Sequence, residues 1–394
     1  MEALTWGGIF ARILTQLLPV WIALIATFAL SITYKRRLGL YGKLFDSPIG
    51  MIGFGIVMFW VFTGLFGGLF DLITTHDVLE QSARMKNKLP GTAFVASNGK
   101  MPEGAYPYYL LGGDNLGRDV WSRMIVGAWE VIKIAPFATL FAFMVGITLG
   151  LPAGYHGSRL DTGLSFVANL ILAFPVILLF YLLVTPEIVA TGIPRYMAGV
   201  LFLFPIIFLV VLINSRFHTQ PPKRNLYAAI ALAIGGWLYL GIAWDADPFG
   251  IIAFPPNLLV VFVSVVFVNS PTVFRIVRGL TMDIKTRDYV AAAQTRGEGT
   301  WYIMLWEILP NARGPLIVDF CLRIGYTTIL LGTLGFFGLG LSPESPDWGS
   351  TINDGRRLLQ VYLHPALAPA LSLLSLVLGL NLLADGLREE SLKD

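Results

Sequence analysis

The sequence predicts an all-α fold: a polytopic bundle of about nine membrane-spanning helices. Three observations carry this reading. Only 13% of the 394 residues are charged and 55% are hydrophobic, whereas a soluble domain carries about 25% charged residues. Apolar runs of about 20 residues recur along the chain, the length needed to cross a hydrocarbon core. The basic residues of the short connecting loops fall on one side of the predicted bundle, as expected for a membrane protein whose cytoplasmic loops are enriched in Lys and Arg.

In chain order, the spans are expected at about 13–34, 49–70, 131–153, 163–184, 197–213, 226–243, 252–270, 316–340 and 366–386, the fifth and sixth being the shortest. The first exceeds a signal-peptide core, lacks an Ala-x-Ala site and is followed by Lys35-Arg36-Arg37. It is therefore expected to be retained. Lys35, Arg36, Arg37 and Lys43 place the first loop in the cytoplasm and the N-terminus outside. Counting on, Arg159, Arg216, Lys223, Arg224, the basic residues of 275–313 and the C-terminal Arg388 and Lys393 are also cytoplasmic. Glu187, Asp245, Asp247, Glu344, Asp347 and Asp354 lie outside, with Arg356 and Arg357 as the exception.

Composition and motifs exclude several classes. A net charge of +3 gives no footprint for nucleic acid. Cys321 stands alone in an apolar segment, and the four histidines (76, 156, 218, 364) are far apart, so neither a disulfide framework nor a metal site is expected. No Gly-x4-Gly-Lys-Ser/Thr cradle is present, so any ATP that drives the protein is hydrolysed on a partner chain. No His-Glu-x-x-His or Gly-x-Ser-x-Gly motif supports a membrane-embedded enzyme. The rival reading is an ion-coupled secondary transporter, which needs ionisable residues in mid-membrane. The spans hold almost none. Asp319 and Arg323, four residues apart, are expected to pair with each other.

Two polar stretches stand out. In residues 283–314, good helix formers run from Asp288 to Arg296 and Gly297 stops them. A second helix, Thr300 to Leu309, presents Trp301, Met304, Leu305 and Ile308 on one face, and Pro310 is expected to end it. Residues 71–130 form the longest polar segment, expected outside. It closes with a Gly/Asp/Asn turn and a short helix in which Asp119 and Arg123 are placed to pair. Prolines and glycines interrupt the spans. Those of the Gly332, Gly335, Gly338, Gly340 run suit close helix packing and are also a candidate hinge.

Tyr289-Val290-Ala291-Ala292-Ala293, then Gly297, then Ile308-Leu309-Pro310-Asn311, resembles the EAA loop of ABC-importer permeases, with Ala291 at the motif's glutamate position. Residues 111–123, Leu-Gly-Gly-Asp-Asn-Leu-Gly-Arg-Asp-Val-Trp-Ser-Arg, resemble the Gly-Thr-Asp-x-x-Gly-Arg-Asp-x-x-Ser-Arg signature of dipeptide and oligopeptide permeases. The matching residues are Asp114, Gly117, Arg118, Asp119, Ser122 and Arg123, and Gly113 replaces the threonine. Two further stretches are similar to segments of that family: Gly150 to Gly157 with Asp161, and Leu334 to Gly340 with Pro343, Pro346 and Asp347-Trp348-Gly349.

The resemblance is to the C-type permease of the dipeptide/oligopeptide/nickel family, and it implies a pore-forming, non-catalytic subunit of an importer. It further implies docking to the ATPase through Tyr289, Ala292, Ala293, Gly297, Leu309 and Pro310. The implied partners are a second permease, one or two ATPase subunits that hold ATP and Mg, an extracytoplasmic substrate-binding protein and membrane lipid. Against a six-helix core, residues 1–46 read as an extra span and 185–262 as an inserted helix pair. These divide the core into 47–184 and 263–394.

Overall fold

The computed structural model describes residues 2–97, 99, 104–252, 254–339 and 344–391. Gly340 of the candidate hinge, Pro343 and Lys393 lie outside the described residues. The helices that build the fold are α1 (Trp6–Gln16), α2 (Leu18–Tyr34), α3 (Pro48–Gly64), α4 (Val120–His156), α5 (Ser158–Leu172), α6 (Val176–Val184), α7 (Ile193–Leu201), α8 (Leu203–Arg216), α9 (Pro221–Trp244), α10 (Pro256–Ile284), α11 (Asp288–Thr295), α12 (Arg313–Phe336), α13 (Trp348–Arg356) and α14 (His364–Ser391). Among the described residues, eight segments are long and apolar enough to cross a membrane, or nine if the bent pair α5–α6 is counted as one span. The chain divides into two compact units, residues 1–135 with 324–394, and residues 136–323.

In the first unit, α3 lies along α14. Glycines make this possible: a Cβ on Gly53 would collide with the Leu383 backbone nitrogen, and one on Gly386 with Gly50. Small residues that let two helix backbones approach are the usual means of association in lipid. Trp60 meets Trp348 edge to face at 5.1 Å and donates to the Ser375 hydroxyl at 2.8 Å. Gly332 and Gly335 of α12 serve the same kind of contact. A Cβ on Gly335 would strike the Asp347 carboxylate, and one on Gly332 the Leu373 side chain. Gly338, at φ +77°, ends the helix, with the Leu339 N–H bonded to the Leu334 carbonyl.

The first predicted span begins later than expected. Residues 6–16 form the separate helix α1, capped by the Thr5 hydroxyl, and α2 starts at Leu18 with Pro19 in its first turn. The stretch that precedes α2 is tied to the polar segment. Leu4 N–H donates to Gly91 O at 2.9 Å, and the Arg12 guanidinium sits 4.7 Å over the Tyr108 ring. Leu17 and Val20 are buried with Ile73, Leu110, Trp121 and Ile125. Within the polar segment, Thr92–Ala93 pairs antiparallel with Tyr108–Tyr109.

In the second unit, the fourth predicted span is not one straight helix. α5 and α6 are bent by 81° at Phe174-Pro175, where proline has no N–H to carry the ladder. The pair nevertheless runs from one end of this unit towards the other. Asp161, near the start of α5, is held by Arg278 near the end of α10 (Nη2–Oδ2 2.7 Å). Arg216, at the end of α8, lies against Trp306, which also follows α10. Ile193–Arg216 is 24 residues long, about 36 Å at 1.5 Å per residue. Residues 158 and 216 are therefore at one end of this unit and residue 193 at the other, so α5–α6 carries the chain across. Asp319 and Arg323 pair as expected, with Nε–Oδ2 at 2.7 Å and Nη2–Oδ1 at 3.3 Å.

Candidate functional site

Residues 283–314 fold as two helical limbs. α11 ends at Gly297, whose φ of +75° suits glycine and whose Cβ would meet nothing. Glu298 N–H bonds to Ala293 O at 3.2 Å and Gly297 N–H to Gln294 O at 2.9 Å, which closes the helix end. The second limb is Thr300–Tyr302, a π-helix Ile303–Ile308 and Leu309–Asn311.

Pro310 does not end this limb, contrary to the expectation from sequence. The Leu309 N–H reaches back five residues to Met304 O, so the turn before the proline is wider than an α-turn. Asn311 Nδ2 then takes the Glu307 carbonyl at 2.6 Å, and the chain continues into α12. Arg296 joins the limbs through Glu307 (Nη2–Oε1 2.9 Å).

The limbs divide their residues sharply. Val290, Ala293, Ile303, Met304, Leu305 and Ile308 are buried in one apolar cluster, Ala293 completely. Tyr289, Ala291, Ala292, Gly297 and Pro310 are exposed, and Leu309 is half-buried. The alanine pair thus has two environments: Ala292 faces outward, while Ala293 is small because the loop's own core leaves no more room.

The loop rests on the end of α4, through contacts the sequence reading missed. Gly146, Gly150 and Gly154, spaced by four, let α4 approach α10. A Cβ on Gly150 would lie 2.9 Å from the Val277 Cβ, and one on Gly154 2.6 Å from Arg278 O. Lys285 Nζ donates to the last carbonyls of α4, Gly154 O at 2.8 Å and Tyr155 O at 3.2 Å. Gln294 Nε2 donates to the Tyr155 hydroxyl at 3.0 Å. The glycine spacing was a usable signal; the role of Lys285 had none. Lys285→Met is expected to cost about 1–2 kcal/mol locally, read as faster hydrogen exchange across residues 288–309 with the remaining helices unchanged.

The signature segment is an internal anchor. Asp114 accepts from Leu116 N–H (2.8 Å), Arg118 N–H (2.9 Å) and Arg118 Nε (2.6 Å). Arg118 Nη2 continues to Asp354 on α13 at 2.7 Å. A Cβ on Gly117, at φ +80°, would collide with Ser82 O. The Tyr109 hydroxyl donates to Gly117 O at 3.1 Å, and burial pushes its ionisation well above the usual tyrosine range.

Asp119 and Arg123 do not pair with each other. Asp119 caps α4 instead, accepting from Ser122 N–H (3.1 Å), Ser122 Oγ (2.7 Å) and Thr75 Oγ1 (2.7 Å). The start of a helix satisfies a carboxylate through its free N–H groups. Arg123 is drawn to Ser345 O (3.1 Å) and Thr351 Oγ1 (3.4 Å). The expected short helix is the first turn of α4, which runs 37 residues through Pro136 and Pro152.

Gly113, the departure from the signature, has a steric cause. A Cβ there would collide with the Met85 carbonyl oxygen. Gly113→Thr, which restores the signature residue, is expected to destabilise the segment by about 1–3 kcal/mol. Limited proteolysis of residues 77–112 checks this, with faster cleavage than in the parent chain expected.

Among the described residues, no group of three or more His, Cys, Asp or Glu converges as a metal site.

A bundle of this kind, with a polar two-limbed loop between spans, is that of a multi-pass membrane protein. Residues 146–389, more than half of the chain, match the family of binding-protein-dependent transport system inner membrane components, and the chain belongs to that family. It is similar to the glutathione transport system permease protein GsiD of Pectobacterium atrosepticum, 29% identical over 290 residues and 74% of each chain. It is also similar to two dipeptide transport system permease proteins DppC. That of Haemophilus influenzae is 29% identical over 287 residues, 73% of this chain and 75% of the relative. That of Alkalihalophilus pseudofirmus is 27% identical over 349 residues, 89% and 87% respectively. The chain is thus a pore-forming, non-catalytic permease subunit of an ABC importer in the inner membrane.

Proposed function

We propose that this permease imports peptides or a similar small solute, and that residues 283–314 face the cytoplasm and dock the ATPase. The observation that carries the docking reading is the exposed surface of Tyr289, Ala292, Gly297 and Pro310, with Leu309 at its edge, on limbs fixed from beneath by a buried cluster. Small exposed side chains on a rigid support suit close approach by a partner. Ala293 supports that surface from inside.

The partners are a related second permease, one or two ATPase subunits carrying ATP and Mg, and an extracytoplasmic binding protein that meets the 71–119 side. The N-terminus lies outside and the C-terminus in the cytoplasm. Two features support this orientation: the basic loops at 35–43, 216–224 and 275–313, and the crossing by α5–α6. Residues 1–46 and 185–262 are additions to a core of 47–184 and 263–394. ATP binding closes the ATPases, the loop moves with them, and the adjoining spans open the pore. ATP supplies the free-energy difference between the two pore states. A bending role for the Gly332, Gly335, Gly338, Gly340 run belongs to this proposal, beside the packing that Gly332 and Gly335 provide.

The reading is tested in proteoliposomes holding the whole complex and its binding protein, with a labelled dipeptide and labelled glutathione as solutes. Uptake that requires ATP and survives collapse of proton and sodium gradients is expected. Uptake driven by an imposed ion gradient without ATP would replace this reading with a secondary transporter.

A further inference from the structure

The inserted helix pair reaches the loop directly. Phe208, Val211, Leu212 and Ser215 of α8 are spaced by three, four and seven, one face of a helix. The three apolar residues pack against the buried cluster that contains Met304, Leu305 and Ile308. Ser215, itself buried, accepts the Trp306 indole N–H at 3.1 Å. One residue on, the exposed Arg216 lies 4.8 Å over the Trp306 ring. His218 meets Tyr302 edge on, at 5.9 Å between rings. The second limb contains a π-helix, a rare form found mostly as single turns inside α-helices, so it gains from outside support. α9, by contrast, exposes Leu226, Ile230, Ile234 and Leu238, spaced by four along one apolar face suited to lipid.

We propose that α8 is a brace that holds the second limb of the loop in the shape the ATPase engages. This rests on the docking reading above and assigns the insertion a positioning role. An interface group held in its bound geometry beforehand binds more tightly because less ordering remains to be done on contact. Ser215, Arg216 and Trp306 are positioning residues: they act through the limb and need not touch the ATPase.

The test uses full-length permease in nanodiscs with its co-purifying ATPase, comparing Arg216→Gln, Arg216→Lys, Trp306→Phe and Ala292→Trp. Arg216→Gln and Trp306→Phe are mild changes that leave the spans intact. Each is expected to weaken ATPase binding about five-fold and to speed hydrogen exchange at residues 303–309. Arg216→Lys, which keeps a cation over the indole, is expected to stay near the parent. Unchanged ATPase affinity and exchange in both Arg216→Gln and Trp306→Phe overturns the brace. If Ala292→Trp releases the ATPase while these two do not, the brace alone has failed. If Ala292→Trp also leaves it bound, the docking reading has failed with it.

Discussion

Exchange of Arg118 for alanine is expected to release the polar segment from the membrane core. The guanidinium is buried between two carboxylates, Asp114 at 2.6 Å and Asp354 at 2.7 Å. Asp114 is itself buried. Removing the cation leaves a buried carboxylate with no counter-charge, a change that costs about 3–5 kcal/mol, against a total stability of about 5–15 kcal/mol for a domain. The tie to α13 through Asp354 is lost at the same time. The measurement is thermal unfolding in detergent, combined with protease sensitivity of residues 71–119. A lowered transition and cleavage confined to that segment are expected. Arg118→Lys retains the charge but lacks the planar fork that reaches both acids, so its loss is smaller. Parent-like unfolding of Arg118→Ala would show that the network is not the anchor.

Tryptophan at Ala293 and at Ala292 is expected to fail in different ways. Ala293 has no exposed surface and lies in the cluster with Val290, Met304 and Ile308. An indole there overfills the core and costs about 3 kcal/mol or more, so the loop itself is disrupted. Ala292, one residue earlier, is exposed. An indole there leaves the loop folded and obstructs a partner. Hydrogen exchange across residues 285–311 separates the two: rapid exchange for Ala293→Trp, parent-like exchange for Ala292→Trp. Equal exchange in both variants would mean that the burial difference between the alanines is of no consequence.

The elements that the sequence foretold are those governed by local rules. The all-α class with about nine apolar spans, the stop at Gly297 and the Asp319–Arg323 pair follow from hydropathy, glycine conformation and i, i+4 geometry. The errors came where distant residues outbid a local rule. Proline is a local terminator of helices, but at Pro310 a π-turn and the Asn311 side chain absorb it. Asp119 and Arg123 had the spacing to pair, yet the helix N-terminus took one and Ser345 and Thr351 took the other. Gly113 looked like a lapse from a signature until Met85 O showed why no side chain fits. Ala292 and Ala293 are identical in sequence terms; only the packing of the second limb beneath them gives one an outward and one an inward role. The contacts of Lys285 and of Ser215 with Trp306 span 130 and 91 residues, and no local pattern foretells them.

The central claim is that the exposed face of residues 289–310 is where the ATPase attaches. The most direct measurement is the amount of ATPase that co-purifies with the membrane-extracted permease, compared between the parent and Ala292→Trp at equal permease yield. The account predicts a bound, ATP-hydrolysing partner with the parent and little or none with the variant. Full retention of active ATPase by a folded Ala292→Trp chain would contradict it.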